Sequence, residues 1–551
     1  MTDVLVIGGG VVGSTLSWRL AAAGASITWL RPDPVGSATA AAGAMLSVLS
    51  ELSPWQDESL RDLEVLNRRA GRTRWDGWMA ELTEAGARAP TLLPGVHVVA
   101  RTATDVEALQ IMRADAVRHG LVAETVAPRD VPGYRPDRSM AAVDALYLAD
   151  EATVDTGRLL VSVQHIVRRT GADVRTARVQ RLELSSSGVT AVTSDGPVTA
   201  DQVVLATGAE TTALLRASNL DGLLPPVLGG RGVSVLVRAS HTVPMCVRTP
   251  NRAFGCGLHL VPREGGHIYI GATNRLTTRV EPESTAQLAE LSSLLGGATS
   301  ELDVGLRKAE LVQTCVGYRP VTLDRRPLVG RTNEEAVLIA TATWRNGVVL
   351  APVVADLIVG EISPGLDPRP PFLADPRRDS CRPGSGRATP RGRGHRRRDL
   401  RERVDRAVAL VRVVGLPGGG HGRVGLRPRR RPGPRCGSTA RPGAARGGSA
   451  DPARDDGSEP RVTCGPRLLE MLRDPDRREP TGLDDTWRDL GVDSLDLLVL
   501  VTNVEDEFGV ALSDATVAGV ATVGDLAAAV DRLLARAIDC FQQPAEGQEV
   551  R

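Results

Sequence analysis

VLVIGGGVVG, residues 4–13, is the stretch that decides the fold of this chain. It predicts a short apolar strand over 4–7, a glycine-rich turn, and a helix over 11–23. A second apolar strand is predicted over 26–30, so the opening residues form a βαβ unit.

The glycines of this unit follow the pattern Gly8-x-Gly10-x-x-Gly13. In a dinucleotide-binding βαβ unit the first glycine permits the tight turn and the second lets the backbone approach a pyrophosphate. The third lets the helix pack on the strand. Unpaired N–H groups and the helix dipole then attract phosphate. We therefore expect a dinucleotide site here.

The end of the second strand leaves the cofactor open between FAD and NADP. Arg31 stands where an acidic residue normally binds a ribose hydroxyl, so either Asp33 replaces that acid or Arg31 binds a 2′-phosphate. Further on, the apolar strand 202–206 leads directly into Thr207 and Gly208. Such a late strand is typical of a two-part FAD-binding domain and favours FAD.

Charge is unevenly distributed along the chain. The formal net charge is +1, but segment 376–460 holds 22 arginines, no lysine and 8 acidic residues, a net +14 that leaves −13 for the rest. This composition cannot bury enough apolar surface to offset chain entropy, so we expect a disordered linker. The near absence of aromatic residues argues against nucleic-acid binding. An alternative hypothesis is a reading-frame excursion. Resequencing that confirms one open frame, together with a peptide from this segment seen by mass spectrometry, would exclude it.

The seven cysteines are scattered and odd in number, which predicts neither a disulfide framework nor a zinc site and indicates a cytoplasmic compartment. The first apolar run lacks a basic flank and is interrupted by glycines and Arg19. We therefore expect no signal peptide and no membrane span.

Several short motifs follow one another along the first two thirds of the chain. They are Ala40-Ala41-Ala42-Gly43-Ala44-Met45-Leu46, Val261-Pro262-Arg263, Gly271-Ala272-Thr273, Gly317-Tyr318-Arg319-Pro320, Asp324 with Pro327-Leu328-Val329-Gly330, and Trp344-Arg345-Asn346-Gly347-Val348. Together they resemble the glycine oxidase branch of the D-amino-acid-oxidase-like flavoenzymes, over about residues 3–373. The resemblance implies an α/β fold, in which a two-part Rossmann-like FAD-binding domain carries an antiparallel or mixed β substrate sheet at roughly 229–310.

The resemblance also implies a reaction. FAD removes a hydride from a carbon next to an amine, water hydrolyses the resulting imine, and oxygen reoxidises the flavin to give peroxide. Arg319 matches the arginine that binds the substrate carboxylate with its planar fork. Arg345 falls where the family brings backbone N–H donors to the flavin. His259 is either a substrate-lining residue or a structural one. The expected cofactor-binding residues are Gly8, Gly10, Gly13, Asp33, Ala42, Gly43, Met45, Val179, Thr207, Gly208, Asn346, Gly347 and Val348.

Two positions differ from the glycine oxidase pattern. Gly257 stands where that branch carries a histidine, and Asn274 stands where it carries a methionine. These differences predict a reshaped pocket, so the identity of the substrate stays open.

Near the C-terminus, Gly491-Val492-Asp493-Ser494-Leu495-Asp496 precedes a predicted amphipathic helix. Residues 462–538 resemble an acyl carrier protein, a small all-α four-helix bundle. The resemblance implies that Ser494 carries 4′-phosphopantetheine, attached by a phosphopantetheinyl transferase. Such domains meet basic partner enzymes through an acidic face. Here the acidic residues are Asp493, Asp496, Glu505, Asp506 and Glu507.

The sequence thus predicts an oxidase domain over 1–375, a linker over 376–460 and a carrier over 461–540. The substrate is either a free small amino acid or an aminoacyl or related acyl group on Ser494, placed there by an acyl-loading enzyme in specialised metabolism. The alternative hypothesis is an inactive flavin fold that serves as a docking carrier.

Overall fold

The computed structural model describes residues 3–32, 36–54, 58–251, 256–281, 285–362, 376–377, 464–472, 480–487, 489–490, 492, 497, 499–501, 503–504, 508, 512, 516 and 520–542. Within them the strands, in chain order, are β1 (Asp3–Ile7), β2 (Ser26–Leu30), β3 (Met45–Leu46), β4 (Leu93–Ala100), β5 (Glu124–Thr125), β6 (Asp144–Thr153), β7 (Asp173–Arg175), β8 (Val179–Ser185), β9 (Gly188–Thr193), β10 (Gly196–Ala200), β11 (Gln202–Leu205), β12 (Leu228–Arg238), β13 (Cys246–Arg248), β14 (His259–Arg263), β15 (His267–Gly271), β16 (Arg275–Thr277), β17 (Glu310–Val321), β18 (Leu328–Arg331) and β19 (Val337–Thr341).

The α-helices of the described residues connect and cover these strands. They are α1 (Val11–Ala22), α2 (Glu58–Glu84), α3 (Ala103–His119), α4 (Thr156–Arg169), α5 (Thr211–Ala217), α6 (Leu288–Gly297), α7 (Gly347–Ile362), α8 (Gly465–Met471) and α9 (Val523–Gln542). The βαβ unit predicted at the start of the chain is confirmed, with each element ending within one residue of its expected bound.

A six-stranded sheet forms the centre of the first domain, in the order β18-β19-β11-β1-β2-β7. Neighbouring strands are parallel except β18 and β19. Val4 and Val6 of β1 face a core shared with α1, α2, α4 and α7. Leu5 and Ile7 face the opposite core, which β8 to β10 and α5 cover. Because both faces are buried, the strand is apolar without alternation.

The second sheet is mixed and follows the order β16-β12-β15-β14-β13-β4-β6-β3, with β17 paired to β12 and β5 to β6. The predicted substrate sheet over 229–310 is therefore too short, because strands before and after that range join it. β12 pairs with β17 from Leu228 opposite Val321 to Arg238 opposite Glu310. Strands so far apart in sequence find each other through hydrogen bonding that local periodicity does not reveal.

Two motif glycines are required by close packing. Gly8 has φ +131°, and a Cβ there would lie 2.2 Å from the carbonyl oxygen of Ala206. A Cβ on Gly13 would lie 2.1 Å from the carbonyl oxygen of Gly8. Any side chain at either position would push α1 or β11 away from β1, so both glycines hold the first turn in place.

The carrier region has its own apolar core. α8 and α9 contribute to it, and the Trp487 indole N–H donates to the Val520 carbonyl over 2.9 Å. Its buried members are Cys464, Leu468, Trp487, Leu490, Leu500, Val501, Val504, Leu512, Val520, Val523, Leu526, Ala527, Ala529 and Val530. Ser494 and most of segment 376–460 lie outside the described residues.

Within the described part of the chain, no helix has the length and apolar character needed to cross a membrane. No group of three or more His, Cys, Asp or Glu side chains in that part is placed to hold a metal ion. The described cysteines Cys246, Cys256, Cys315 and Cys464 form no disulfide.

Candidate flavin and substrate site

A cavity of about 480 Å³ lies between the two sheets. The glycine turn after β1 lines one part of it, and Arg319, His259 and Tyr269 of the second sheet line another. The carboxyl ends of parallel strands are where ligands bind in open α/β sheets. The cavity therefore joins the predicted dinucleotide site to the predicted substrate site.

The glycine turn leaves room for a ligand at the N-terminus of α1. A Cβ on Gly10 would meet only Thr39 Oγ1, at 3.1 Å, within 4 Å among the described residues. The first turn of α1 contains no acidic residue. This combination of open backbone and a positive helix end suits a pyrophosphate, as FAD requires. Asp33 lies outside the described residues, and the Arg31 guanidinium stacks 5.7 Å from the centre of the Trp29 ring.

Three side chains of the second sheet donate hydrogen bonds to the loop at 41–43, which lines the cavity. The Tyr269 hydroxyl donates to the Ala41 carbonyl over 2.8 Å, and Ser234 Oγ donates to the same oxygen over 3.1 Å. Arg263 Nη2 donates to the Gly43 carbonyl over 3.0 Å. A Cβ on Gly43 would lie 2.7 Å from His259 Nε2, so the close approach of loop and sheet requires glycine there.

Arg319 lies on β17 at the substrate side of the cavity. Its Nη1 donates to the Thr273 carbonyl over 3.1 Å and to Asn274 Oδ1 over 3.3 Å. A Cβ on Gly232 would lie 2.3 Å from this Nη1, so glycine makes space for the guanidinium. Both bonds use one nitrogen, which leaves Nε and Nη2 available for a carboxylate.

His259 is buried in the cavity wall. Its Nδ1 lies 2.9 Å from the Gly257 carbonyl, and its ring stacks on Tyr269 with centroids 5.5 Å apart. Burial, and after it the charge of Arg248, lowers the pKa of His259 to about 4. The ring is therefore neutral at pH 7. Because a carbonyl only accepts, the proton sits on Nδ1 and Nε2 is an acceptor.

A buried ion pair that the sequence patterns did not predict lies beside His259. Arg248 donates to Glu51 Oε1 and, through Nη2, to Asn251 Oδ1 over 2.7 Å. Burial raises the pKa of Glu51, but the positive charges of Arg248 and Arg345 outweigh it and lower that pKa to about 2. The available signal was an arginine inside a short apolar strand, since buried charges are rarely left unpaired.

The residues before α7 enclose the other side of the cavity. Trp344 has φ +51°, and the Arg345 guanidinium lies 5.3 Å from the centre of its ring. Arg345, Gly347 and Val348 line the cavity at the start of α7. Asn346 does not line it; this residue is buried, and its Nδ2 lies 3.4 Å from Glu64 Oε1.

Most of the predicted site residues meet in this one cavity. Gly13 does not line it and acts instead in packing α1 on β1. The predicted residues that do line it are Gly8, Gly10, Ala42, Gly43, Met45, Val179, Thr207, Gly208, His259, Arg319, Arg345, Gly347 and Val348. Tyr269, Glu51 and Trp344 line it too but were not predicted as site residues.

The profile of a family described as FAD dependent oxidoreductase matches residues 3–360, more than half of the chain. The chain belongs to this family. A second profile, described as phosphopantetheine attachment site, matches residues 467–530. The family uses FAD, which confirms the choice of FAD over NADP, and it acts on carbon–nitrogen bonds. The C-terminal domain is a carrier of 4′-phosphopantetheine.

Relatives of the FAD-dependent part include glycine oxidases. Glycine oxidase of Bacillus licheniformis is 26% identical over 373 residues, which cover 65% of this chain and 93% of that protein. Bifunctional protein ThiO/ThiG of Trichormus variabilis is 26% identical over 359 residues, which cover 65% of this chain and 52% of that protein. The crystal structure of glycine oxidase from Geobacillus kaustophilus superimposes with a TM-score of 0.58 at 25% identity, covering 68% of this chain and 98% of that chain.

Proposed function

We propose that this FAD-dependent oxidoreductase oxidises the carbon–nitrogen bond of a small, glycine-like amino acid, presented free or as an aminoacyl thioester on the carrier. The observation that carries the proposal is that Arg319 and His259 line the same cavity as the glycine turn. Arg319 offers a planar fork for a carboxylate, or a donor for a thioester carbonyl. His259 offers an acceptor for an amine N–H.

Each side chain has a defined task in this proposal. Arg319 holds the carboxyl end of the substrate, while His259 Nε2 accepts a hydrogen bond from the amine and orients it. Bound FAD would accept the hydride from the carbon next to nitrogen and pass its electrons to dioxygen, giving hydrogen peroxide. One proton leaves the nitrogen as the C=N bond forms, and water hydrolyses the imine. Tyr269 holds the Ala41 carbonyl through its hydroxyl, and Glu51 lines the cavity paired with Arg248.

Different observations support the two forms of the substrate. The presence of Arg319 favours a free carboxylate. The altered pocket and the fused carrier favour the tethered thioester: a Cβ on Gly257 would lie 2.2 Å from the Thr249 carbonyl, so no side chain occupies the place of the family histidine. Asn274 takes part of the hydrogen-bonding capacity of Arg319. Specialised metabolism, with a phosphopantetheinyl transferase and an acyl-loading enzyme as partners, is the setting that fits the tethered form.

The test is anaerobic bleaching of the flavin absorbance in the full chain. Small free amino acids are compared with the same acids loaded on phosphopantetheinylated Ser494, and Ser494→Ala is the control. Bleaching only by the loaded arm supports the tethered form, and bleaching by free acids alone supports the free form. A protein that binds no FAD would support the alternative of an inactive docking carrier.

A further inference from the structure

An apolar surface of the FAD-dependent part contacts the carrier. It consists of Leu228, Leu276, Val321 and Leu323, which we call the docking patch. Val499 of the carrier is buried against Leu228 and Val321, and Leu323 also packs against the carrier core. The patch therefore contacts a segment of the same chain whose sequence identifies it as carrier.

A hydrogen bond fixes the same contact. Asn503 Nδ2 lies 3.4 Å from the Leu276 carbonyl. Val499 and Asn503 are helical residues four positions apart, which is the spacing of one helix face. Ser494 precedes Val499 by five residues, so the covalent chain keeps their Cα atoms within about 18 Å. Docking at the patch therefore leaves the attachment point no farther than about 18 Å from the Val499 contact.

A small cavity lies beneath the docking patch. Its volume is about 20 Å³, the size of a single water site, and Asn274 and Trp344 line it together with the patch residues. Trp344 also lines the large flavin cavity, and Asn274 accepts a hydrogen bond from Arg319 there. Trp344 therefore borders both cavities, and Asn274 borders the small one and contacts Arg319.

Trp344 occupies its position because residue 230 is a glycine. A Cβ on Gly230 would lie 2.5 Å from the Trp344 ring and 3.2 Å from Asn274 Oδ1. Trp344 is partly exposed rather than fully buried. Because the indole is partly exposed, it can turn aside at lower cost than a fully buried core residue.

Residues near the two halves of this contact carry opposite charges in the sequence. Arg275, Arg279, Arg325 and Arg326 are on or beside the strands and loop that carry the docking patch. In sequence, five acidic residues at 493, 496 and 505–507 flank Val499 and Asn503. Complementary charge speeds encounter and fixes orientation.

We propose that the docking patch receives the carrier domain of the same chain, and that its phosphopantetheine arm reaches the flavin cavity between Leu276 and Val321 by displacing Trp344. The arm route rests on the tethered form of the proposed function, whereas docking at the patch does not. The ligand of this route is a pantetheine thioester of a small amino acid.

Docking is tested by cross-linking, which needs no turnover. The full chain with Leu276→Cys and Asn503→Cys is treated with a short bismaleimide, and the matched control pairs Val161→Cys, on the exposed part of α4, with Asn503→Cys. Selective intramolecular cross-linking of the first pair is expected, reduced about tenfold by Leu323→Glu. Equal yields from the two pairs would overturn docking at the patch, even if no substrate bleached the flavin.

The arm route is tested by filling the small cavity. Leu276→Trp should slow flavin bleaching by the loaded arm by about tenfold, while flavin content and bleaching by any active free amino acid stay unchanged. Leu276→Ala is the matched control and should retain the rate with the loaded arm. Equal rates for both variants with the loaded arm would exclude this route.

Discussion

Arg248 and Glu51 form an ion pair inside the FAD-dependent part, with side chains 0% and 8% exposed. Burial of either charge alone costs several kcal/mol, so each is stable only because the other is present. The pair lies beside His259: Arg248 of β13 is opposite His259 of β14, and both charges act on the pKa of that ring.

Arg248→Met should lower the free energy of unfolding by about 3–5 kcal/mol, because it leaves the Glu51 carboxylate buried and unpaired. The double variant Arg248→Met, Glu51→Gln removes both charges and should recover part of that loss. Urea unfolding of the full chain, followed by tryptophan fluorescence, measures the difference. Additive losses in the double variant would show that the two side chains are not coupled.

The buried, neutral His259 predicts a dependence of stability on pH. Its folded pKa of about 4 lies below the ordinary 6.5, so the unfolded chain binds more protons between these values. Stability from this group is complete above pH 6.5 and is lost as pH falls towards 4, by about 3 kcal/mol in total. In His259→Asn the midpoint of urea unfolding should change less with pH over this range. An unchanged slope in that variant would assign the effect to other groups. Glu51 affects stability at lower pH, because its contribution is lost as pH falls from 4.5 to about 2, the range of its shifted pKa.

Gly43→Ala should lower FAD content and the temperature of flavin release. The added methyl would lie 2.7 Å from His259 Nε2 and 3.0 Å from the Tyr269 ring, which forces the loop away from the sheet. Gly296→Ala in α6 is the control, since a Cβ there meets nothing within 4 Å among the described residues, and alanine favours helix. Flavin fluorescence on heating measures both variants, and equal release temperatures would contradict the prediction.

Arg319→Lys should keep FAD binding but reduce kcat/KM for the active substrate by about a hundredfold, because an ammonium lacks the planar fork. Arg319→Met should be slower still, since it removes the charge. Stopped-flow reduction of the flavin under anaerobic conditions provides the rates, and the flavin spectrum provides the check on folding. Full activity in Arg319→Lys would show that the fork does not bind the substrate.

The sequence predicted the parts of the fold that depend on local patterns. The apolar run before Gly8 and the close contact at Gly13 follow from rules that need only neighbouring residues. The pairing of β12 with β17 and the ion pair of Glu51 with Arg248 depend on residues distant in sequence, which periodicity does not bring together. Arg319 and His259 were found through motif resemblance, whereas Tyr269 was missed because one tyrosine in a strand carries no motif. The roles expected for Asp33 and Ser494 stay predictions, since both lie outside the described residues.

Tyr269, Ser234 and Arg263 all donate from the second sheet to the carbonyls of the loop at 41–43. In the proposed function, substrate preference and cofactor retention therefore depend on the same three hydrogen bonds. Anyone who redesigns the specificity of this protein by randomising the sheet would select against many useful variants merely because they lose their prosthetic group. Libraries that keep these three donors fixed should retain the yellow of bound flavin in most clones. Differences in activity among those clones would then report substrate specificity rather than loss of the cofactor.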